Sequence, residues 1–146
     1  KWLDDAKAAA TPGSVEGMRI EFYANGLKPF FAESERVMKS IAAAQLALEK
    51  AKAPASEQGL GVDNPLDAGV VLPDSAGTIS RFDPNDLADL LGVSRVSADR
   101  GAASPRVTDL RSEPRCDRSW KRDGTVKKRS DGGMLSDRDA RALGLA

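Results

Sequence analysis

The large apolar residues of this 146-residue chain are unevenly distributed, and this limits the folds open to it more than any other feature. The first third holds Phe22, Tyr23, Phe30, Phe31, Val37, Met38, Ile41, Leu46 and Leu48. Residues 101–146 hold only Val107, Leu110, Trp120, Val126, Met134, Leu135, Leu143 and Leu145. A segment with less than about 20% large apolar residues cannot bury enough surface to offset its ordering entropy. We therefore expect a folded N-terminal part and a C-terminal part that needs a partner to become ordered.

Residues 18–24, Met-Arg-Ile-Glu-Phe-Tyr-Ala, alternate apolar and polar side chains as a half-buried strand does. The dipeptide Asn25-Gly26 that follows is favoured in type I′ turns. We therefore predict a β-hairpin here. Its second arm, residues 27–31, must be short or lie at a sheet edge, because Pro29 cannot donate to a ladder.

A helix is predicted over residues 32–53, with acidic residues in its first turn, lysines in its last turn and Pro54 beyond it. One face recurs at helical spacing and consists of Val37, Ile41, Ala44 and Leu48. We predict that this face packs on a neighbouring subunit. The alanines on the other faces allow a partner helix to approach closely, or they simply reflect high helix propensity.

Proline and glycine punctuate residues 54–82, which predicts an extended connector with at most one short strand at residues 70–72. Asp83 and Pro84 then begin a short helix that ends at Gly92. Ser136 begins a final short helix. The predicted organisation is a strand and helix module (1–54), a connector (55–82), a short helical unit (83–100) and a basic tail with a C-terminal helix (101–146). The predicted fold class is a small α+β protein, mainly helical, with a short N-terminal hairpin and long irregular extended arms.

Residues 86–100, Asp-Leu-Ala-Asp-Leu-Leu-Gly-Val-Ser-Arg-Val-Ser-Ala-Asp-Arg, resemble the helix-turn-helix pattern of DNA-binding regulators. In that pattern Ala88 lets the second helix approach, Gly92 makes the turn and Val93 fills the corner. The resemblance implies a recognition helix capped by Ser94, with three side chains near base edges or phosphates: Arg95, Ser97 and Arg100. The alternative is an ordinary capped helix that ends in a glycine turn.

Residues 95–130 contain eleven Lys or Arg against five Asp or Glu, in a chain whose formal net charge is zero. Such a stretch favours a polyanion or an acidic protein surface. An aromatic side chain within it, that of Trp120, could stack on a base or fill a pocket of a partner. The candidate nucleic-acid or partner-binding residues are Arg95, Arg100, Arg115, Arg118, Trp120, Lys121, Arg122, Lys127, Lys128 and Arg129. A solvated basic linker is the alternative.

The chain contains no histidine and one cysteine, which excludes histidine general bases, Ser-His and Cys-His nucleophiles, and zinc sites of the histidine or cysteine-cluster type. Two carboxylate pairs remain as candidate cation ligands or acid/base groups: Glu33 with Glu35, and Asp83 with Asp86. Helix starts attract acidic residues in any case. We predict no catalytic residue, no metal site and no cofactor.

The single Cys116 has no partner for an internal disulfide. The sequence lacks the apolar run of a signal peptide and the stretch of about 18 apolar residues that a transmembrane helix needs. We therefore expect a protein that lies inside the cell or within a virus or phage particle, and that is not inserted in a membrane.

These features together predict a non-enzymatic structural or assembly component of a large complex, such as a virion- or phage-like nucleoprotein particle. It would pack on neighbouring subunits and contact DNA or RNA through its basic stretch. A small helix-turn-helix DNA-binding regulator is the first alternative, and a carboxylate-based enzyme is the second.

Overall fold

The computed structural model describes residues 2–11 and 13–145, so that Lys1, Pro12 and Ala146 lie outside the described residues. The chain divides into two compact units, residues 1–39 and residues 40–146. The prediction of a small α+β protein is confirmed, with one long helix and two small sheets.

The N-terminal unit is built from helices α1 (Trp2–Ala9) and α2 (Val15–Phe22), a π-helical turn (Tyr23–Leu27) and the first part of helix α3 (Lys28–Ala51). Ser14 caps α2, because its Oγ accepts a hydrogen bond of 3.0 Å from the Gly17 N–H. The predicted hairpin is wrong, since residues 18–24 are helical and Asn25-Gly26 lies inside the π-helical turn. Apolar residues in this segment also recur three and four positions apart. The chain adopts the helix that this spacing favours and not the strand that the alternation favours.

The π-helical turn explains how a proline sits near the start of a long helix. The Lys28 N–H donates to the carbonyl of Tyr23, five residues back. A proline ring normally clashes with the carbonyl four residues before it and leaves one carbonyl without a donor. The chain continues from α2 through this wider turn and past Pro29 into α3 without a break.

Helix α3 agrees with the helix predicted over residues 32–53, and beyond its end the chain folds back to cap it. The N–H groups of Leu60 and Val62 donate to the Ala51 carbonyl at 2.9 and 3.2 Å. Gly59 makes this return possible, because a Cβ atom at that position would lie 1.8 Å from the carbonyl oxygen of Ala53.

A three-stranded sheet forms the centre of the second unit. Its strands are β1 (Ala68–Pro73), β2 (Arg95–Asp99) and β3 (Arg106–Asp109), in the order β2-β1-β3. Strand β1 runs parallel to β2 and antiparallel to β3. The predicted connector over residues 55–82 therefore contains the central strand of the sheet. The short strand that the sequence allowed at residues 70–72 is confirmed as part of β1. The extended arm is not confirmed, because Val70 and Leu72 are buried in the core, with 2% and 0% of their surface exposed.

Helix α4 (Pro84–Leu91) links β1 to β2 and has the bounds that the sequence predicts. The Asp83 side chain accepts from the Asn85 N–H at its start, and Gly92 ends it in the left-handed conformation, with φ of 69°. The alternative of a capped helix that ends in a glycine turn is confirmed, and the recognition helix implied by the helix-turn-helix resemblance is wrong, because residues 95–99 form strand β2. Val93 and Val96 are β-branched and buried, and this favours a strand paired with β1 over a helix.

Asp74, directly after β1, organises the turn that leads to α4. Its carboxylate is buried and accepts from the Ile79 N–H at 2.8 Å, from the Ser80 N–H at 3.0 Å and from the Ser80 hydroxyl. Burial alone would raise the pKa of Asp74, but the hydrogen bonds to its ionised form outweigh this and hold the pKa below its usual value.

The C-terminal residues fold on a small core of their own. Strands β4 (Lys127–Lys128) and β5 (Met134–Leu135) pair antiparallel, and helix α5 (Asp137–Ala142) follows, capped by Ser136 as the sequence predicts. Cys116, Val126, Leu135 and Ala140 form the core, with Met134 and Leu145 packed against it. The predicted extended arm over residues 101–146 is not confirmed, since Val107 belongs to the three-stranded sheet and Val126 and Leu135 belong to this second core.

Candidate functional site

The basic stretch carries most of its charges in ion pairs with acidic residues of the same chain. These pairs are Arg95–Glu113, Arg106–Asp99, Arg111–Asp109, Arg118–Asp139, Lys121–Asp89, Arg122–Asp67, Lys127–Asp137 and Arg129–Asp137. Among the ten predicted binding residues, Arg100, Arg115 and Lys128 are exposed cations that make no ion pair within the described part of the chain. The sequence prediction gathered these cations into one binding stretch, whereas the structure distributes most of them over internal partners.

The ion pair between Arg122 and Asp67 is the least exposed contact between the basic stretch and the residues next to the sheet. Its Nε lies 2.7 Å from Asp67 Oδ1, with 14% and 20% of the two side chains exposed, and its guanidinium also donates to the carbonyl of Glu113. The Arg122 N–H donates to the hydroxyl of Ser94, which itself donates to the Leu66 carbonyl. Arg122 therefore bonds the C-terminal residues to the residues that directly precede β1 and β2.

The two arginines assigned to a recognition helix have separate surroundings. Arg95 makes a bidentate pair with Glu113, at 2.8 and 2.7 Å, and its side chain lies over Gly69 of β1. Arg100 follows the end of β2 and lies beside Gly77. A strand places these two side chains differently from the helix that the sequence analysis assumed.

Trp120 is half exposed, at 53%, and adopts the left-handed conformation with φ of 62°. The guanidinium carbon of Arg115 lies 5.0 Å from the centre of its ring, which is a cation–π contact. A base that stacked on this face of the indole would have to displace Arg115.

The four residues predicted to pack on another subunit belong to the interior of this chain. Val37, Ile41, Ala44 and Leu48 have between 0% and 9% of their surface exposed. That they pack on a neighbouring subunit stays a prediction, but their burial leaves little of their surface for such a contact. The helical spacing correctly identified a buried stripe, but spacing cannot distinguish burial within the chain from burial against a partner.

The exposed apolar residues are concentrated elsewhere, in the N-terminal unit. We call them the N-terminal apolar surface; they are 38% to 66% exposed and comprise Val15, Met18, Phe22, Tyr23, Leu27, Phe30, Phe31 and Met38. Sequence reasoning counted the aromatic members of this set as core residues. The signal that it missed is their density, since three of the four phenylalanines and the single tyrosine of the chain fall within nine residues of each other.

The π-helical turn brings these side chains into register. Val15, Met18 and Phe22 follow α-helical spacing in α2, and Leu27, at the end of the π-helical turn, continues at that spacing to Phe31 and Met38 in α3. The step from Phe22 to Leu27 is five residues, one more than that spacing allows. Because the π-helical turn at this point accommodates one extra residue, the two stripes continue along one face.

The carboxylates considered as catalytic or cation-binding groups have local roles. Glu35 pairs at 2.7 Å with Lys39, one turn further along α3, and this hydrogen bond lowers the pKa of Glu35. Asp83 caps α4, and Asp86 lies in the first turn of that helix. Within residues 2–11 and 13–145, no three cysteine or carboxylate side chains are grouped as a metal site requires.

Asp139 accepts hydrogen bonds from three different side chains. Its Oδ2 accepts from Ser119 Oγ at 2.7 Å, Ser136 Oγ at 3.0 Å and the Cys116 thiol at 3.1 Å. Burial alone would raise the pKa of Asp139, but these three donors outweigh it and the pKa is lowered. The cluster connects α5 to the segment around Cys116, and all its donors are used within the chain.

No family model and no curated protein matches this chain. In the part of the chain that the structure describes, none of the helices combines the length and the apolar character needed to cross a membrane.

Proposed function

We propose that this protein is a non-enzymatic assembly component that self-associates and packs on neighbouring subunits through its N-terminal apolar surface. The observation that carries this proposal is the group of eight exposed apolar side chains between Val15 and Met38, which includes three phenylalanines. Monomeric proteins rarely expose apolar patches larger than a few hundred Å², and larger ones mark interaction sites.

The three phenylalanines supply a gain of the same order as the cost of association. Phe22, Phe30 and Phe31 are 66%, 61% and 59% exposed. At about 200 Å² for each side chain, covering them removes roughly 370 Å² from water, which corresponds to about 9 kcal/mol. Association itself costs on the order of 4–15 kcal/mol. The aliphatic and methionine side chains of the same face therefore decide the affinity.

The face fits another helix. The segment from Val15 to Met38 is helical throughout and spans about 36 Å at 1.5 Å per residue. A stripe with three- and four-residue spacing is the geometry through which helices pack on each other. Two copies of this segment can therefore cover each other's apolar side chains.

Contact with nucleic acid, as in a virus- or phage-like particle, is a separate part of this proposal. A phosphate that approached Arg95, Arg122 or Arg129 would have to replace an acidic partner that is already bonded. Lys128 of β4 is exposed without an ion pair, and the exposed Lys127 beside it has only a longer contact with Asp137, at 3.4 Å, so we assign any such contact to these two lysines. The double variant Lys127→Ala/Lys128→Ala should then abolish the salt dependence of binding to a DNA duplex.

Analytical ultracentrifugation of the full chain tests the self-association. The wild-type chain should sediment as a dimer or larger species at micromolar concentration, and the variant Phe22→Ser/Phe31→Ser as a monomer. Leu90→Ser is the matched control, because Leu90 is 62% exposed, as the phenylalanines are, but lies on α4. A wild-type chain that is monomeric across this concentration range would refute the proposal, as would a dimer that Leu90→Ser disrupts equally.

A further inference from the structure

Strand β2 leaves one side of its backbone without a strand partner. It lies at the end of the sheet order β2-β1-β3. The Asp74 N–H donates to the Asp99 carbonyl at 3.0 Å, so the backbone groups of Asp99 point towards β1. In a parallel pair, alternate residues bond to the same neighbour. The groups of Ser97 therefore also face β1, and those of Val96 and Ala98 face outwards, where no other described strand pairs with them.

An apolar cavity opens beside this free edge. It has a volume of about 300 Å³ and lies between β2 and the segment that leads into α4. Val96 and Ala98 of β2 line it, together with Phe82 and Leu87 from the segment before α4 and from α4 itself. Phe82 is 45% exposed, so the cavity is accessible from solvent. Every residue that lines it is uncharged.

We propose that this edge binds an extended polypeptide segment of another protein as a fourth strand, with one apolar side chain of that segment in the cavity. The outward N–H and C=O groups of Val96 and Ala98 supply the main-chain hydrogen bonds. The cavity supplies selectivity for an uncharged side chain of the size of leucine or phenylalanine. This combination of a free strand edge and a side-chain pocket is how strand addition achieves both affinity and specificity.

The uncharged lining favours a peptide over other ligands. A phosphate or a nucleic acid would find no cation in the cavity, and a charged side chain would lose its hydration without gaining a partner. A second copy that paired through its own β2 would bring another α4 to the same wall. A single extended strand needs no room beyond the groove that Phe82 and Leu87 border.

The β2 edge belongs to the unit of residues 40–146, whereas the N-terminal apolar surface belongs to residues 1–39. The inference therefore does not depend on self-association through that surface. A chain that is monomeric can still bind a peptide at β2, and a self-associating chain can fail to do so.

Phage that display random twelve-residue peptides, selected on the immobilised full chain, test this inference. The enriched peptides should share an apolar residue within an otherwise extended, β-prone sequence. A labelled synthetic copy of one such peptide should then bind the wild-type chain in a fluorescence anisotropy titration.

Three variants locate the binding site. Ala98→Pro removes an outward N–H without breaking a bond to β1, and Phe82→Ala opens the exposed wall of the cavity; each should weaken the peptide at least tenfold. Val107→Pro is the control on the opposite edge. The Leu110 N–H bonds to the Asp67 carbonyl at 2.8 Å, so by alternation the Val107 N–H also faces away from β1. This control should bind within twofold of the wild-type chain, and circular dichroism of all three should match it.

Two results would overturn the inference. One is a selection that enriches no peptide, or peptides whose binding neither Ala98→Pro nor Phe82→Ala changes. The other is a dimer that Ala98→Pro dissociates in the absence of any peptide binding, which would assign the edge to a second copy. Phe82 is 45% exposed, so we expect Phe82→Ala to fold. Its effect on peptide binding therefore tests the inference even if the proline variant fails to fold.

Discussion

The contact between Arg122 and Asp67 should be one of the most stabilising polar interactions of the chain. In Arg122→Met, the Asp67 carboxylate remains but loses a partner 2.7 Å away, and the Glu113 carbonyl loses a donor. Removing one member of a buried ion pair costs about 3–5 kcal/mol. Asp67 keeps 20% of its side chain in water, so we expect a smaller loss, about 2–3 kcal/mol of the free energy of unfolding.

Urea denaturation followed by far-ultraviolet circular dichroism measures this loss. With a slope of about 1–3 kcal/mol per molar urea, the midpoint should fall by about 1 M or more. Arg106→Met is the matched control, because Arg106 pairs with Asp99 at 3.2 Å but the two side chains are 66% and 40% exposed. An exposed pair of this kind contributes about 0–1 kcal/mol.

The double variant Arg122→Met/Asp67→Asn provides the decisive comparison. Neutralising Asp67 after its partner is gone removes the unpaired charge, so the double variant should be more stable than Arg122→Met alone. If the two single losses are additive, or if Arg122→Met behaves like the Arg106→Met control, the C-terminal residues are not fastened to the sheet at this point.

Three further predictions concern the turn at Asp74, the return loop at Gly59 and the buried thiol. The pKa of Asp74 is lowered in the folded state, so its ionised form stabilises the fold above about pH 4 and this contribution is lost as the pH falls further; urea midpoints should therefore drop more steeply with acid in the wild type than in Asp74→Asn. Gly59→Ala should cost more than about 2 kcal/mol in thermal or urea unfolding, because its Cβ would lie 1.8 Å from the Ala53 carbonyl oxygen, while Gly101→Ala, whose nearest contact is 3.5 Å, should be nearly neutral. Cys116 is fully buried, so a thiol reagent should label it at the rate of unfolding; rapid labelling in native buffer would contradict the core placed around it.

The sequence predicted those elements whose boundaries depend on neighbouring residues. Asp83, Pro84 and Gly92 define α4 by capping, by a fixed φ and by a left-handed turn, and each of these acts within one helical turn. Ser136 does the same for α5. Such signals do not depend on what the element packs against, which is why they can be recognised without the fold.

Strand β2 and the N-terminal helices could not be assigned in this way. Residues 95–99 fit either a recognition helix or a strand, and their pairing with Gly69 to Pro73, some 26 residues earlier, decides for the strand. The alternation at residues 18–24 was equally ambiguous. Both segments are too short for their apolar pattern to distinguish a helix from a strand. Tertiary contacts or the turn that follows decide which of the two forms.

The basic stretch shows that the surface charge of a segment cannot be predicted from its sequence alone. Counting charges between residues 95 and 130 gives an excess of six cations, but acidic partners lie outside that window. Asp67, Asp89 and Asp137 neutralise Arg122, Lys121 and Arg129. A charge count along the sequence therefore overstates the positive potential at the surface, because the fold brings opposite charges together from distant positions.

This internal neutralisation also bears on how fast the protein meets its partners. Steered association, at rates up to about 10⁸–10⁹ M⁻¹s⁻¹, requires an uncompensated field that extends beyond about 10 Å from the surface. A chain of zero net charge whose cations are paired at contact distance projects little field of that kind. Encounters at the N-terminal apolar surface should then occur at the unsteered rate of about 10⁵–10⁶ M⁻¹s⁻¹ and change little with ionic strength. The local concentration of subunits, rather than electrostatic attraction, would set the pace of assembly.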